Sequence, residues 1–293
     1  MARAAENTHF TLRERLEDAL IASALFFLRR LPYRWRVPFA GWLVSAVAAP
    51  CLGMRNRVRA NLDLALPDLS NAEKRRLVRQ VPDNLGRFIA EIFSPSEFTD
   101  ICRATPFEGP GLAAIEQAHA RGQGVIAVSG HFANYDVIRV GLSQRGFSVG
   151  GLYRPMNNRA FNKRYLRVIE ALATPLYPRS RFGMAQMVKH LREGNVLAML
   201  TDQHMHKGEL LKFFGLPAYT ALSAAQLALK YDALLVPIYA NRQPDGISFR
   251  VEVHAPIPHS DKITMTQALN DSLEAIIRGQ RGQWLWTHRR WKN

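Results

Sequence analysis

From residue 111 to residue 278 the sequence alternates short apolar runs with longer stretches of helical periodicity. Gly124-Val-Ile-Ala-Val-Ser129 is apolar and bounded by glycine, the signature of a buried strand. Residues 148–153, 196–200 and 234–239 read the same way, and 248–254 alternates like an edge or near-edge strand. Between them, residues 111–120, 134–144, 161–173, 184–193, 220–231 and 264–278 carry helical spacing. Most of these helical stretches run into glycine at or just past their ends. This alternation predicts an α/β fold, a mixed or mostly parallel sheet flanked by helices. No internal repeat or low-complexity linker interrupts it, and 293 residues are ample for a buried core. Residues 71–93 read as largely helical behind a capping box at Ser70 and Glu73, with Pro82 expected to break or kink the helix.

The first sixty residues differ in kind. They hold ten Arg, no Lys and four acids around two uncharged stretches, 19–28 and 37–54. The second is eighteen residues long, roughly 27 Å as a helix and close to a bilayer core. Pro38 and Pro50 sit near its ends, while Trp35, Trp42 and the Arg clusters flank the apolar runs as interfacial anchors do. Acids precede the first run and bases follow it, opposite to a cleaved signal peptide. The expectation is a membrane-associated helical segment over 1–60 and an α/β domain over 61–293. The competing reading is a pair of buried core helices.

Lys and Arg exceed Asp and Glu by 39 to 24, a net charge of +15 that calls for an anionic partner. Two cysteines, Cys51 and Cys102, exclude a disulfide scaffold and suit a reducing compartment. The other three tryptophans lie at 284, 286 and 291, beside five bases and no acid from Arg278 onward. That tail suits a lipid headgroup interface, base stacking, or a final element that buries its Trp residues.

The sharpest chemical feature is Ser129-Gly130-His131-Phe132-Ala133-Asn134-Tyr135-Asp136. His131 falls just past a strand's carboxyl end, where open α/β sheets place their sites. Asp136 falls in the first turn of the next helix and is expected to fold back onto the imidazole. A carboxylate on one ring nitrogen fixes the tautomer and leaves the other to take a proton from a hydroxyl. No G-x-S-x-G elbow occurs, and neither cysteine has an activating context. The nucleophile is therefore expected to be the substrate's own hydroxyl, attacking without a covalent enzyme intermediate.

His131 to Asp136 resembles the H-x4-D/E motif of glycerolipid-type acyltransferases. The surrounding blocks resemble one branch, the late acyltransferases of lipid A biosynthesis. They are Gly130 to Asp136, Tyr153-Arg154-Pro155 with Asn157-Asn158, Asp202-Gln203 followed by 213–220, and Gln283 to Lys292. Arg59-Ala-Asn61-Leu62 with Leu66-Pro67 is similar too, so the likeness runs through nearly the whole chain.

The resemblance implies transfer of a fatty acyl group from acyl carrier protein to a hydroxyl of a hydroxyacyl chain on a Kdo-bearing lipid A precursor. It implies the cytoplasmic face of a Gram-negative inner membrane as the place, lipopolysaccharide biosynthesis as the process and no cofactor. Acyl carrier protein, the anionic lipid A precursor and inner-membrane lipids are the implied partners, and nucleic acid is not among them. His131 is implied as general base and Asp136 as its partner. Arg154, Asn134, Asp202 and Gln203 are implied on the substrate side, with Arg154 suited to an anion. A second arginine is expected after Tyr153-Arg154-Pro155, with Arg164, Arg167, Arg179 and Arg181 as candidates. Many lipid A enzymes have Glu where this chain has Asp136, and Asp is more typical of phospholipid acyltransferases. A phospholipid or other glycolipid acceptor is thus the alternative within the same chemistry. A non-catalytic basic protein on membranes or nucleic acid is the alternative outside it.

Two further groupings stand beside these. Asp202-x-His204-x-His206 has a spacing that could hold a metal, or it is a polar loop beside the site, and no metal is expected. Phe213-Phe214-Gly215 with Pro217 either lines an acyl channel or buries two aromatics in a tight turn.

Overall fold

The computed structural model describes residues 10–292. Its N-terminal part is helical: α1 (Leu12–Leu28), α2 (Tyr33–Leu43), a π-helical turn (Val44–Ala48), α3 (Ala49–Cys51), α4 (Met54–Ala65), α5 (Asn71–Ile92) and α6 (Pro95–Ala104). The α/β part then runs β1 (Phe107–Glu108), α7 (Pro110–Ala120), β2 (Val125–Ser129), α8 (Asp136–Gln144), β3 (Val149–Tyr153), α9 (Arg159–Leu172), β4 (Leu176–Pro178), α10 (Arg181–Arg192) and β5 (Val196–Leu200). It closes with β6 (Glu209–Phe213), β7 (Leu216–Thr220), α11 (Ser223–Tyr231), β8 (Leu234–Arg242), β9 (Phe249–Val253) and α12 (Lys262–Gly279).

Seven strands form one sheet in the order β1-β9-β8-β2-β5-β3-β4. Every pairing is parallel except the β8–β9 hairpin. The strands read from sequence are all present. β1 and β4, of two and three residues, are too short for a period to register. β2 is buried along its whole length, as a central parallel strand between two helical layers must be. The chain leaves β2 toward β3 and β4, returns to β5, and crosses to β8 on the far side. That reversal puts a crevice at the carboxyl ends of β2 and β5.

The capping box at Ser70 and Glu73 forms as expected. Pro82 does not break α5, a helix of 22 residues that continues through it to Ile92. The N-terminal stretches give a mixed result. No described helix is long and apolar enough to cross a membrane by itself. Residues 37–54 do not form one rod, because the chain bends by 88° between Cys51 and Met54 at left-handed Gly53. One side of α2 packs on α5, burying Val37 and Ala40 against Ala90. The other side leaves Trp35, Phe39 and Trp42 exposed. α1 buries no residue and exposes Leu12, Leu16, Leu20, Phe26 and Phe27. It is tied to α9 through Glu14–Arg159 and Asp18–Arg164. The expected boundary at residue 60 falls inside α4, and residues 1–9 of the expected first segment lie outside the described residues.

Candidate active site

Ser129 ends β2 opposite Leu200, which ends β5. Two residues further along each strand stand His131 and Asp202, so the parallel register delivers them side by side. His131 Nδ1 lies 2.8 Å from Asp202 Oδ1, and the His131 backbone N–H donates to Oδ2 at 2.8 Å. The indole N–H of Trp284 donates to that same Oδ2 at 2.8 Å. Burial opposes ionisation of Asp202. The adjacent His131 imidazole and the N–H donors of His131 and Trp284 outweigh it and hold the carboxyl at about 2. Asp202 is therefore anionic at neutral pH, Nδ1 carries the proton, and Nε2 is left as the basic nitrogen.

The expected contact between His131 and Asp136 does not form. Asp136 is the first residue of α8, where the helix dipole favours an anion, and it accepts from Arg139 Nε at 3.0 Å. Arg139 also donates to the carbonyls of Ala173 and Ile169, so this buried pair ties α8 to α9. A one-turn reach within the loop loses to a partner that the neighbouring strand already presents in register. Asn134 is fully buried as well. It donates to Glu91, itself paired with Arg242, and accepts from the Asp136 N–H at 3.1 Å. The loop between β2 and α8 is thus braced from α5 and β8.

It is braced from the C-terminal segment too. Ala133 sits at φ +45°, unusual for a residue with a Cβ, and its N–H donates to Gln283 O at 2.8 Å. Leu285 N–H donates to His131 O at 3.0 Å. A Cβ at Gly130 would lie 2.8 Å from a Leu273 methyl and 3.1 Å from Asp202 Oδ2, so a side chain there must push Leu273 aside and crowd the carboxylate.

His131 opens onto a small cavity of about 90 Å³ lined by Val81, Leu85, Phe88, Tyr135, Trp284 and Leu285. The lining is mostly apolar, fit for alkyl groups, and the volume equals only about three waters of bulk liquid. Gln203 places its carboxamide nitrogen 3.3 Å from His131 Nε2.

Arg154 and Arg179 extend the same edge of the sheet. Tyr153 pairs with Pro178 in the β3–β4 register, so Arg154 and Arg179 follow it as neighbours, both exposed. At about 4.8 Å per strand they lie roughly 10 and 14 Å along the edge from β2. Among the other candidates, Arg164 is engaged by Asp18 at 2.8 Å, while Arg167 and Arg181 are exposed on α9 and α10.

Residues 4–293 match the family described as bacterial lipid A biosynthesis acyltransferases. The chain belongs to that family. It is 26% identical to the lipid A biosynthesis lauroyltransferase of Escherichia coli K12 over 243 residues, 80% of this chain and 78% of that protein. It is 24% identical to a phosphatidylinositol mannoside acyltransferase of Mycobacterium tuberculosis over 185 residues, 62% of this chain and 58% of that protein. As a lipid A biosynthesis acyltransferase by family, the chain is an acyltransferase enzyme.

The remaining groupings resolve within that frame. The acidic end of Asp202-x-His204-x-His206 faces His131. His204 meets Tyr219 edge-on, and its backbone N–H donates to His288 Nε2 at 2.9 Å. No group of three metal-ligating side chains gathers among the described residues. Phe214 and Gly215 are the two positive-φ residues of the β6–β7 hairpin, at +55° and +72°, as a type I′ turn requires. Phe213 and Phe214 are buried against Trp284, Trp286 and Trp291, which is the tight-turn reading. The tail is core rather than a headgroup interface: Trp284, Trp286 and Arg290 are at most 1% exposed. Arg290 donates to Tyr219 O and Thr220 Oγ1, both at 2.6 Å, and burial lowers its pKa to about 10.

Sequence reasoning missed Trp284 as a donor to the site and Asp202 as the carboxylate on His131. The second was within reach. Runs 124–129 and 196–200 are both apolar and are each followed within three residues by a titratable side chain, and pairing them in parallel with Ser129 opposite Leu200 sets His131 beside Asp202.

Proposed function

We propose that this enzyme moves a fatty acyl group from acyl carrier protein to a hydroxyl of a hydroxyacyl chain on a Kdo-bearing lipid A precursor. The reaction is placed at the cytoplasmic face of the inner membrane. The observation that carries the mechanism is the in-register His131–Asp202 pair beside an apolar cavity.

His131 Nε2 takes the proton of the acceptor hydroxyl as its oxygen attacks the thioester carbonyl. The acyl oxygen bears the negative charge of the tetrahedral intermediate. Collapse breaks the C–S bond, and the imidazolium returns the proton to the departing thiolate. Asp202 stays ionised throughout, holding the tautomer and stabilising the imidazolium. Asp136 serves by clamping α8 to α9 through Arg139, not by touching the imidazole. Arg154 and Arg179 supply cations for phosphate groups of donor or acceptor, since guanidinium grips phosphate bidentately. Two exposed apolar helical faces, on α1 and α2, fit a protein that works on a bilayer surface. A glycophospholipid acceptor is the second reading, favoured by the likeness to the phosphatidylinositol mannoside enzyme.

The test is transfer in vitro. Purified protein receives carrier proteins loaded with mixed acyl chains and a Kdo-bearing lipid A precursor, and the lipid is weighed by mass spectrometry. One added acyl chain supports the reading. Transfer to a mannosylated phosphoinositide instead, with none to the precursor, moves it to the second acceptor.

A further inference from the structure

α5 presents a second pocket on roughly the opposite face from the catalytic cavity. At about 100° per residue, Arg75, Arg76 and Arg79 point one way and Val81, Leu85 and Phe88 the other. The pocket measures about 810 Å³, and no residue that lines it lines the cavity at His131.

Four guanidiniums, of Arg55, Arg75, Arg76 and Arg79, share this concavity with one carboxylate, Asp83. Asp83 is already engaged by Arg87 at 2.6 Å. Arg75, Arg76 and Arg79 are exposed and close no ion pair among the described residues. Arg55 is pinned through one nitrogen to Ser45 O at 2.7 Å, while its Nε is buried without a hydrogen-bond partner. Cations gathered this closely repel one another until an anion joins them. The rim supplies the other half of the chemistry. Trp42 lines the pocket and stacks on Phe39 at 5.7 Å, with Val47 and Leu52 exposed nearby. Exposed arginines beside exposed apolar side chains match a phosphate that carries acyl chains. The convex helix of an acidic carrier protein matches a flat charged surface better than a concavity.

We propose that this pocket binds the phosphate headgroup of an anionic membrane lipid, at a site separate from the catalytic cavity. It does not rest on the acyl-transfer reading. The lipid phosphate lies among the four arginines and its chains run along Trp42 and Phe39. The enzyme is thereby held on the bilayer with α5 as the element common to anchor and site.

The experiment is co-sedimentation of the full chain with phosphatidylcholine vesicles, with and without phosphatidylglycerol. The triple variant Arg75→Gln, Arg76→Gln, Arg79→Gln is compared with Arg121→Gln, Arg192→Gln, Lys230→Gln, which removes equal charge from the sheet's amino edge. Unchanged thermal unfolding shows each variant is folded. The expected result is about 100-fold weaker binding to anionic vesicles for the first triple and a few-fold for the second. Trp42 is also expected to be quenched by brominated acyl chains in a Trp35→Phe background. Equal losses in both triples, or an unquenched Trp42, overturn the proposal. So does inorganic phosphate displacing the vesicles at equal phosphate concentration, which would mark a soluble anion site. A first triple that loses carrier protein but keeps vesicles overturns it in favour of a protein dock.

Discussion

Asn at position 202 and Asn at position 136 separate the two carboxylates that the motif invites one to confuse. Asp202→Asn removes the charge facing the imidazole and offers an N–H where Nδ1 now donates. The ring then turns its other tautomer to the substrate, with Nε2 protonated and unable to act as base. At an effective dielectric of about 20, a carboxylate roughly 4 Å from an imidazolium stabilises it by about 4 kcal/mol, close to three powers of ten. The same replacement in a serine-protease triad costs about 10⁴. Single-turnover transfer for Asp202→Asn should therefore fall about 10³- to 10⁴-fold with KM little changed. Asp136→Asn leaves His131 its partner but strips Arg139 of its anion in a buried setting, worth about 3 kcal/mol of stability. Its transfer rate, read well below its melting temperature, should stay within about tenfold. A Asp136→Asn variant that is folded yet as inactive as Asp202→Asn would refute the assignment of the partner.

Further outcomes follow from other contacts. Truncating Arg290 to Met removes the shorter donor from Tyr219 O and Thr220 Oγ1, which keep Met205 N–H at 3.2 Å and Asn270 Nδ2 at 3.4 Å, and should cost about 1–2 kcal/mol in urea unfolding. Gly86→Ala would set a methyl 2.4 Å from Ala40 O and 2.8 Å from Gly41 Cα, both backbone atoms that cannot swing aside, so α2 must lift off α5. The expected loss is about 1–3 kcal/mol, read as a lower melting temperature. Arg159 beside Glu14 holds that carboxyl down at about 2, below its ordinary 4.5. The α1–α9 tie is therefore whole above pH about 4.5 and lost as pH falls toward about 2, which proteolysis of α1 across that range will show. His131→Ala should lower turnover by about 10² to 10⁴ while the protein stays folded, with a stability loss of about 1–3 kcal/mol because buried Asp202 loses one of its donors.

The five longer strands of the main sheet and the helices between them were legible because each carries its own period, the β6–β7 hairpin was not, and the site's location was legible because His131 follows a buried apolar run. The identity of its partner was not, since Asp136 is five residues away in sequence and Asp202 is 71. Local proximity suggested one and strand register chose the other. The tail was ambiguous for a different reason: Trp beside Arg reads alike at a headgroup interface and in a core where Arg290 donates to a carbonyl and a hydroxyl. The N-terminal stretches were legible as helical, and their bend was not. Eighteen uncharged residues satisfy a length rule, but Gly53 adopts a left-handed turn and Gly41 and Gly86 let α2 lie close on α5.

The bracing of residues 131–133 by 283–285 has a consequence in time. Ribosomes extend a chain from its N-terminus, and every other part of this site, from α5 to β5, is made before residue 283. Until Gln283, Trp284 and Leu285 emerge, His131 lacks the strand-like contact that fixes its loop, and Asp202 lacks one of its three donors. A nascent chain can hold a finished sheet and still have no oriented base. Activity is thereby withheld until residues 283–285 have joined the fold.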